Sequence, residues 1–248
     1  ARAIMTTDLV EKHALVRSDG FSVAGIVKGS GMIAPNMGTM LAFLYTDAAV
    51  DQTLLAAALR LAADRTFNRV VVDGDTSTND IALLTATGAA GRVEPNEFER
   101  ALEACCRALA VQIAADGEGA TRLIEVNVRG APEEEDAAAV ARTVVGSPLV
   151  KTAVYGEDPN WGRVIAAAGR AGVEFDPYAV SLVIGEGESA VPLVTRGEIV
   201  VDLARAKAAM AGKRVVFTLD LASGEGEATA WGCDLTERYV EINGKYTT

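Results

Sequence analysis

Thr39 is the residue of this chain best placed for covalent chemistry. It follows Gly38 at the end of a loop rich in Gly and Pro, and an apolar run, residues 40–45, comes directly after it. A threonine hydroxyl is a weak nucleophile without a neighbouring base, but its own α-amine becomes that base once the preceding peptide bond is cut. A free α-amine has a pKa of about 7.7–8.0, which suits proton transfer near neutral pH.

Gly38 lacks a Cβ and therefore reaches the strained backbone angles that self-cleavage at Gly38–Thr39 requires. The run 40–45 is apolar at every position and predicts a short strand buried on both faces, which would hold a nucleophile at its tip rigidly. The alternative is that Thr39 is only a β-branched residue that begins a strand.

Other nucleophiles and bases are scarce. The single histidine, His13, lies in a polar stretch that predicts a loop, so a Ser-His-Asp triad and a His-rich metal site are disfavoured. The three cysteines, Cys105, Cys106 and Cys233, form neither a disulfide framework nor a CxxC motif, and we expect them to be buried. The chain must therefore find its general base elsewhere.

Two further motifs have competing interpretations. Residues 73–80 hold three carboxylates, which raises a magnesium or calcium hypothesis, but the spacing lacks the EF-hand pattern and favours a hydrogen-bonded loop that supports the site. Gly29-x-Gly31-x-x-Ala34 follows a strand, as a dinucleotide fingerprint does, yet Pro35 and an apolar strand follow where that fingerprint needs a helix.

Hydrophobic periodicity predicts helices and strands in an α+β order. Helices are expected from the Asp51 cap onward and over 95–115, from Pro132 and over 159–171; strands are expected at 21–27, 40–45, 69–73, 123–128, 180–184, 191–194, 199–201, 214–219 and 227–233. The segment Val145–Pro148 marks a candidate boundary between subdomains.

Composition limits the partners. A net charge of −11 and a pI near 4.7 argue against nucleic acid or an anionic membrane as a partner, and the 5% aromatic content argues against base stacking. No apolar run approaches the ~20 residues that span a bilayer, and no signal-peptide pattern opens the chain. We therefore expect a cytoplasmic protein.

Several long motifs resemble the bifunctional ornithine acetyltransferase (glutamate N-acetyltransferase) family of arginine biosynthesis. They are KGSGMIAPNMGTML (28–41), AIMTTD (3–8), DGDTSTND (73–80), YGEDPNWGR (155–163) and YVEINGKYTT (239–248). The resemblance implies a layered α/β sandwich of mixed sheets with outer helices, like that of N-terminal nucleophile enzymes. It also implies a pre-cleavage segment 1–38, a nucleophile-bearing domain 39–145 and a C-terminal subdomain 146–248.

The resemblance further implies a ping-pong reaction without cofactor or metal, in which Thr39 takes acetyl from N-acetylornithine and passes it to glutamate. Some family members also use acetyl-CoA as donor. The family's two cleavage products stay together and associate further. The substrate-binding residues it implies are Thr6 (with Thr7 as rival), Lys28, Thr39, Glu118, Asn243 and Thr248.

The chain departs from the family in two ways. Gly38 stands where family members usually have alanine, which bears on the rate of cleavage more than on its occurrence. In the family, the upstream half of the precursor supplies a Thr-Gly oxyanion hole, so this chain alone is expected to be catalytically incomplete. Two rival functions stay open: an amidohydrolase or aminopeptidase that uses Thr39 with water, and an uncut binding module.

Overall fold

The computed structural model describes residues 1–34 and 40–245. The chain forms two compact units, Ala1–Gly117 and Glu118–Thr248, and each is described by itself. The expected α+β class is confirmed, because mixed sheets and helices occur in both units.

The first unit is built on a four-stranded sheet in the order β1-β2-β3-β5. A 3₁₀ turn, Arg2–Ile4, precedes the sheet, and a second, Phe67–Arg69, precedes β4. The strands of this sheet are β1 (Lys12–Ser18), β2 (Phe21–Lys28), β3 (Leu41–Ala49) and β5 (Ile81–Arg92), and the short strand β4 (Val70–Val71) lies outside it. The helices of the unit are α1 (Gln52–Arg65) and α2 (Pro95–Ala115).

Local chemistry explains the order of these elements. The Asp51 side chain accepts the Thr53 and Leu54 amides at 3.0 Å each and caps α1, as its position predicts. α1 provides the crossover that parallel neighbours β3 and β5 require. Helix α2 packs against β1 and β2. It approaches so closely that a Cβ at Gly25 would lie 2.8 Å from Leu109 Cδ1, so a larger residue there would force this buried leucine to move.

The prediction that the strand after Thr39 is buried on both faces is wrong, because the side of the sheet opposite the helices is partly exposed. Burial alternates along β3: Ala42 and Leu44 are inaccessible, whereas Tyr45 is 49% exposed. β5 likewise exposes Ile81 and Leu83, because α1 and α2 cover only one side of the sheet. The loop prediction at His13 is also wrong, since His13 lies in β1 and pairs with Ile26.

The second unit contains a mixed sheet with its strands in the order β11-β6-β10-β7-β8-β9. The strands are β6 (Leu123–Ala131), β7 (Ser181–Ile184), β8 (Val191–Thr195), β9 (Glu198–Ile199), β10 (Arg214–Asp220) and β11 (Gly226–Cys233). The helices are α3 (Glu134–Val145), α4 (Pro148–Tyr155), α5 (Trp161–Ala168), α6 (Leu203–Met210) and α7 (Glu237–Lys245); a 3₁₀ turn spans Gly187–Ser189.

Helix α3 covers β6 and β11, where Val126 and Ala230 are fully buried. The sequence placed a domain boundary at 145–146, whereas the contacts divide the chain after Gly117. The Gly146 amide bonds the Arg142 carbonyl at 2.9 Å and ends α3, so residues 146–147 join two helices of the same unit.

The remaining sequence predictions for this unit succeed in part. β6, β7, β8, β10 and β11 are confirmed to within about three residues, and α3 begins at Glu134 instead of Pro132. Helices α4, α6 and α7 were not predicted. Each of the three is only eight or nine residues long, and so short an apolar pattern does not by itself distinguish a helix from a strand or a loop.

The cysteine prediction is confirmed, because Cys105, Cys106 and Cys233 are all buried and form no disulfide among the described residues. Burial raises the pKa of Cys105 to about 11 and that of Cys106 further, so neither is a reactive thiolate. Within residues 1–34 and 40–245, no helix combines the length and apolar character needed to cross a membrane.

A buried network of charged side chains lies near the N-terminus of the first unit. Lys12 Nζ lies 2.6 Å from Asp8 Oδ1 and 2.5 Å from Asp116 Oδ2, with the lysine side chain inaccessible to solvent. Asp8 also accepts the Gly29 amide at 2.7 Å, and Asp116 accepts the Leu9 amide at 3.0 Å. The network therefore connects the N-terminal segment, the end of β2 and the end of α2.

We expect Lys12→Met to lower the free energy of unfolding by about 3–5 kcal/mol, because it leaves two buried carboxylates without their counter-charge. Urea denaturation measures this loss. Arg107→Met is the matched control: its pair with Glu103 is half exposed, and the expected change is about 1 kcal/mol or less. Equal losses in both variants would contradict the role assigned to the network.

The network also sets a pH dependence. Burial raises the pKa of Asp8, but the Lys12 ammonium and the amides of Gly29 and Thr6 outweigh it, and the pKa is lowered. Its contribution to stability is therefore fully present above the unfolded value of 3.8 and is lost as the pH falls through the lower folded value.

Candidate active site

The structure brings Thr6 and Lys28 together. Lys28 ends β2 with 5% of its surface exposed, and its Nζ donates to Thr6 Oγ1 at 3.3 Å. Asp8 holds the Thr6 amide at 3.2 Å and the Gly29 amide at 2.7 Å, so one buried carboxylate orients both partners. The contact favours Thr6 over Thr7 as the neighbour of Lys28. A cation next to a hydroxyl is a suitable environment for a carboxylate.

In the second unit, Glu118 and Asn243 also come together. Asn243 Nδ2 donates to Glu118 Oε2 at 2.8 Å and to the Tyr239 carbonyl at 3.1 Å, one turn earlier in α7. Glu118 is partly buried and Asn243 is exposed. Among the described residues, the other carboxylate oxygen of Glu118 accepts no hydrogen bond, and a carboxylate with a spare oxygen suits an ammonium ion.

Asp234 positions Glu118 relative to α7. This buried carboxylate accepts the amides of Thr121 at 2.7 Å and Arg122 at 2.9 Å, as well as the Thr121 hydroxyl. Thr236 Oγ1 donates to the Gly119 carbonyl at 2.7 Å. The segment that follows Glu118 is therefore fixed against the residues that lead into α7.

The loop at residues 73–80, here called the aspartate loop, is hydrogen-bonded as the sequence predicts. Asp73 and Asp80 accept backbone amides of Met32, Ile33 and Met40, and Ser77 Oγ accepts the Asn79 amide at 3.3 Å. Among the described side chains, no group of three or more His, Cys, Asp or Glu is arranged to hold a metal ion.

The remaining predicted residues lie outside the described part of the chain: Gly38 and Thr39 in segment 35–39, and Thr248 in segment 246–248. Sequence reasoning missed Asp8, Lys12, Asp116 and Asp234 as the residues that position the candidate side chains. The only available signal was the proximity in sequence of Asp8 to Thr6 and of Asp116 to Glu118. Nothing in the pattern around Lys12 indicates its burial.

The model of the ArgJ family matches residues 1–248. A glutamate N-acetyltransferase of Methanosarcina mazei is 54% identical over 256 residues, covering 100% of this chain and 65% of that protein. An arginine biosynthesis bifunctional protein ArgJ of Symbiobacterium thermophilum is 52% identical and is covered to 64%.

A crystal structure of the arginine biosynthesis bifunctional protein ArgJ of Bacillus halodurans has a similar fold. Its TM-score is 0.76 at 42% identity, covering 81% of this chain and 96% of that chain. The α+β protein described above therefore belongs to the ArgJ family. It spans about two thirds of the length of the curated relatives that it matches.

Gly119 permits the close contact between the Glu118 segment and α7. Its φ is +73°, and a Cβ there would lie 2.5 Å from the Tyr239 amide nitrogen. We expect Gly119→Ala to lower the free energy of unfolding by more than the ~1–3 kcal/mol of backbone strain alone, because α7 must also move. Gly172→Ala is the control, since Gly172 has φ +78° but open space around it. Equal melting temperatures for the two variants would contradict the expected clash.

Proposed function

We propose that this protein is a glutamate N-acetyltransferase of arginine biosynthesis that transfers acetyl from N-acetylornithine to glutamate through an acetyl-Thr39 intermediate. The proposal is carried by the ArgJ family match over residues 1–248. Relatives named glutamate N-acetyltransferase and bifunctional ArgJ support the reaction class.

The charges of the candidate residues suit these substrates. N-acetylornithine carries a carboxylate and a side-chain ammonium, and glutamate carries two carboxylates and an ammonium. Lys28 with Thr6 suits a carboxylate, and Glu118 with Asn243 suits an ammonium. We assign these four residues, together with Thr248, to substrate binding.

The reaction begins with self-cleavage at Gly38–Thr39, which frees the Thr39 amine. That amine takes the hydroxyl proton while Thr39 Oγ bonds the acetyl carbon, and the C–N bond to ornithine breaks as the proton passes to the departing nitrogen. Glutamate then attacks the ester through its neutral amine, the acetyl moves to glutamate, and Thr39 regains its hydroxyl proton. Acetyl-CoA is an alternative donor in the same first half-reaction.

Strand pairing supports continued association of the two cleavage products. β2 precedes the proposed cleavage site and β3 follows it, and they pair antiparallel from Val23↔Thr46 to Lys28↔Leu41. Cutting the chain between them breaks one covalent bond and leaves this ladder in place. The two products therefore remain one folded protein, which we place in the cytoplasm and expect to form a larger homo-oligomer.

Replacing the nucleophile tests the proposal directly. We expect wild-type protein expressed from its complete gene to yield a fragment beginning Thr39-Met40-Leu41, and Thr39→Ala to remain uncut and to form no acetyl-enzyme. Intact mass and N-terminal sequencing measure both. An uncut wild type would refute the mechanism, and donor consumption at the same rate without glutamate would indicate an amidohydrolase.

Lys28 tests the assignment of substrate charge. We expect Lys28→Met to raise KM for N-acetylornithine by about 10- to 100-fold, the effect of losing one hydrogen bond to a charged group. Steady-state kinetics measure it, and Lys28→Arg should recover part of the loss. Lys207→Met, on the exposed surface of α6, is the control, and a KM for Lys28→Met equal to that of this control would refute the assignment.

A further inference from the structure

The aspartate loop is bonded to the chain on both sides of segment 35–39. On the upstream side, Asp73 Oδ2 accepts the Met32 amide at 2.6 Å and Oδ1 accepts the Ile33 amide at 3.1 Å. The Val72 amide donates to the Ile33 carbonyl at 2.8 Å, and Asp73 Oδ1 also accepts the Asp75 amide at 3.2 Å. Both carboxylate oxygens of Asp73 are therefore in use.

On the downstream side, Asp80 bonds Met40, the buried residue that follows Thr39 in the chain. Asp80 Oδ1 accepts the Met40 amide at 2.7 Å, and the Ile81 amide donates to the Met40 carbonyl at 3.0 Å. Asp80 Oδ2 is buried and has no hydrogen-bond partner within the described residues. Asp80 therefore anchors the backbone with only one of its oxygens.

Burial makes the charged form of both carboxylates less favourable. Burial raises the pKa of Asp73, and the neighbouring charge of Asp75 adds to the increase. Burial also raises the pKa of Asp80, although the Met40 amide and the charge of Lys28 oppose it. Surface loops ordinarily hydrogen-bond to water, so two partly buried acids that bond the same short stretch of chain indicate a specific constraint.

We propose that Asp73 and Asp80 form a clamp that positions the Gly38–Thr39 peptide for self-cleavage. The inference rests on the proposed function. The hydrogen bonds fix the backbone at Met32 and Ile33 before the scissile bond and at Met40 after it, and holding the flanking backbone in place lowers the entropic cost of bringing reacting groups together. Both aspartates are positioning residues and take no part in bond making.

The reaction that the clamp serves is an acyl shift followed by hydrolysis. Thr39 Oγ bonds the Gly38 carbonyl carbon, the Gly38–Thr39 C–N bond breaks, and the hydroxyl proton passes to the released nitrogen. Water then cleaves the ester, which leaves a carboxylate on Gly38 and restores the Thr39 hydroxyl beside a free amine.

The hydrogen-bond geometry predicts an order of effects. Asparagine keeps one acceptor oxygen, so Asp80→Asn retains the bond to Met40, whereas Asp80→Ala loses it. Asp73→Asn turns one oxygen into a donor that faces a backbone amide. We expect cleavage within about threefold of wild type for Asp80→Asn, and at least about tenfold slower for Asp80→Ala and Asp73→Asn.

The test follows the intact mass of newly synthesised precursor over time, with the melting temperature of each variant as the measure of folding. Asp75→Asn is the matched control, because Asp75 is exposed in the same loop, and it should cleave at the wild-type rate. If an alanine or asparagine variant does not fold, Asp80→Glu or Asp73→Glu replaces it, since each keeps the charge but displaces the acceptor. Slower cleavage by a folded glutamate variant supports the clamp.

Wild-type cleavage rates in folded Asp73→Asn and Asp80→Ala, or in the folded glutamate variants, would overturn the clamp. Asp80→Asn as slow as Asp80→Ala would also overturn it, because the retained hydrogen bond would then have no effect. An uncut wild type refutes the proposed function itself, whereas a cleaved wild type with equally cleaved variants refutes only the clamp.

Discussion

Lys12 lies with its ammonium group enclosed between the carboxylates of Asp8 and Asp116, so the first unit keeps a cation and two anions together out of water. Such a cluster is tolerated only when every member is paired, because one unpaired buried charge costs several kcal/mol. The same carboxylates hold the amides of Leu9 and Gly29. The placement of Thr6 and of the end of β2 therefore depends on this charge.

Buried or partly buried aspartates perform a similar task elsewhere. Asp234 accepts the amides of Thr121 and Arg122, and Asp73 and Asp80 accept those on either side of segment 35–39. A carboxylate offers several acceptor sites on a short side chain, so it satisfies backbone amides that loops would otherwise leave to water. In both units this chemistry positions irregular segments beside regular strands and helices.

Sequence patterns were most reliable where local chemistry decides the structure. The Asp51 cap and the span of α2 were predicted, since a capping carboxylate and a 3.6-residue apolar period depend on near neighbours. β1 was missed, because the polar residues at its start are typical of a loop. The prediction that the strand after Thr39 is buried on both faces was also wrong, because the face of a sheet that a helix covers is decided by tertiary packing.

The sequence by itself determined the family motifs, the order of most elements and the identity of the candidate residues, because these depend on residue types and short spacings. Only the tertiary structure decided that Lys28 contacts Thr6 and that Lys12 is buried between two acids. It alone paired Glu118 with Asn243, 125 positions away. The physical reason is that burial and long-range hydrogen bonds arise from packing between elements. No local sequence pattern specifies which charged side chain will be buried away from water.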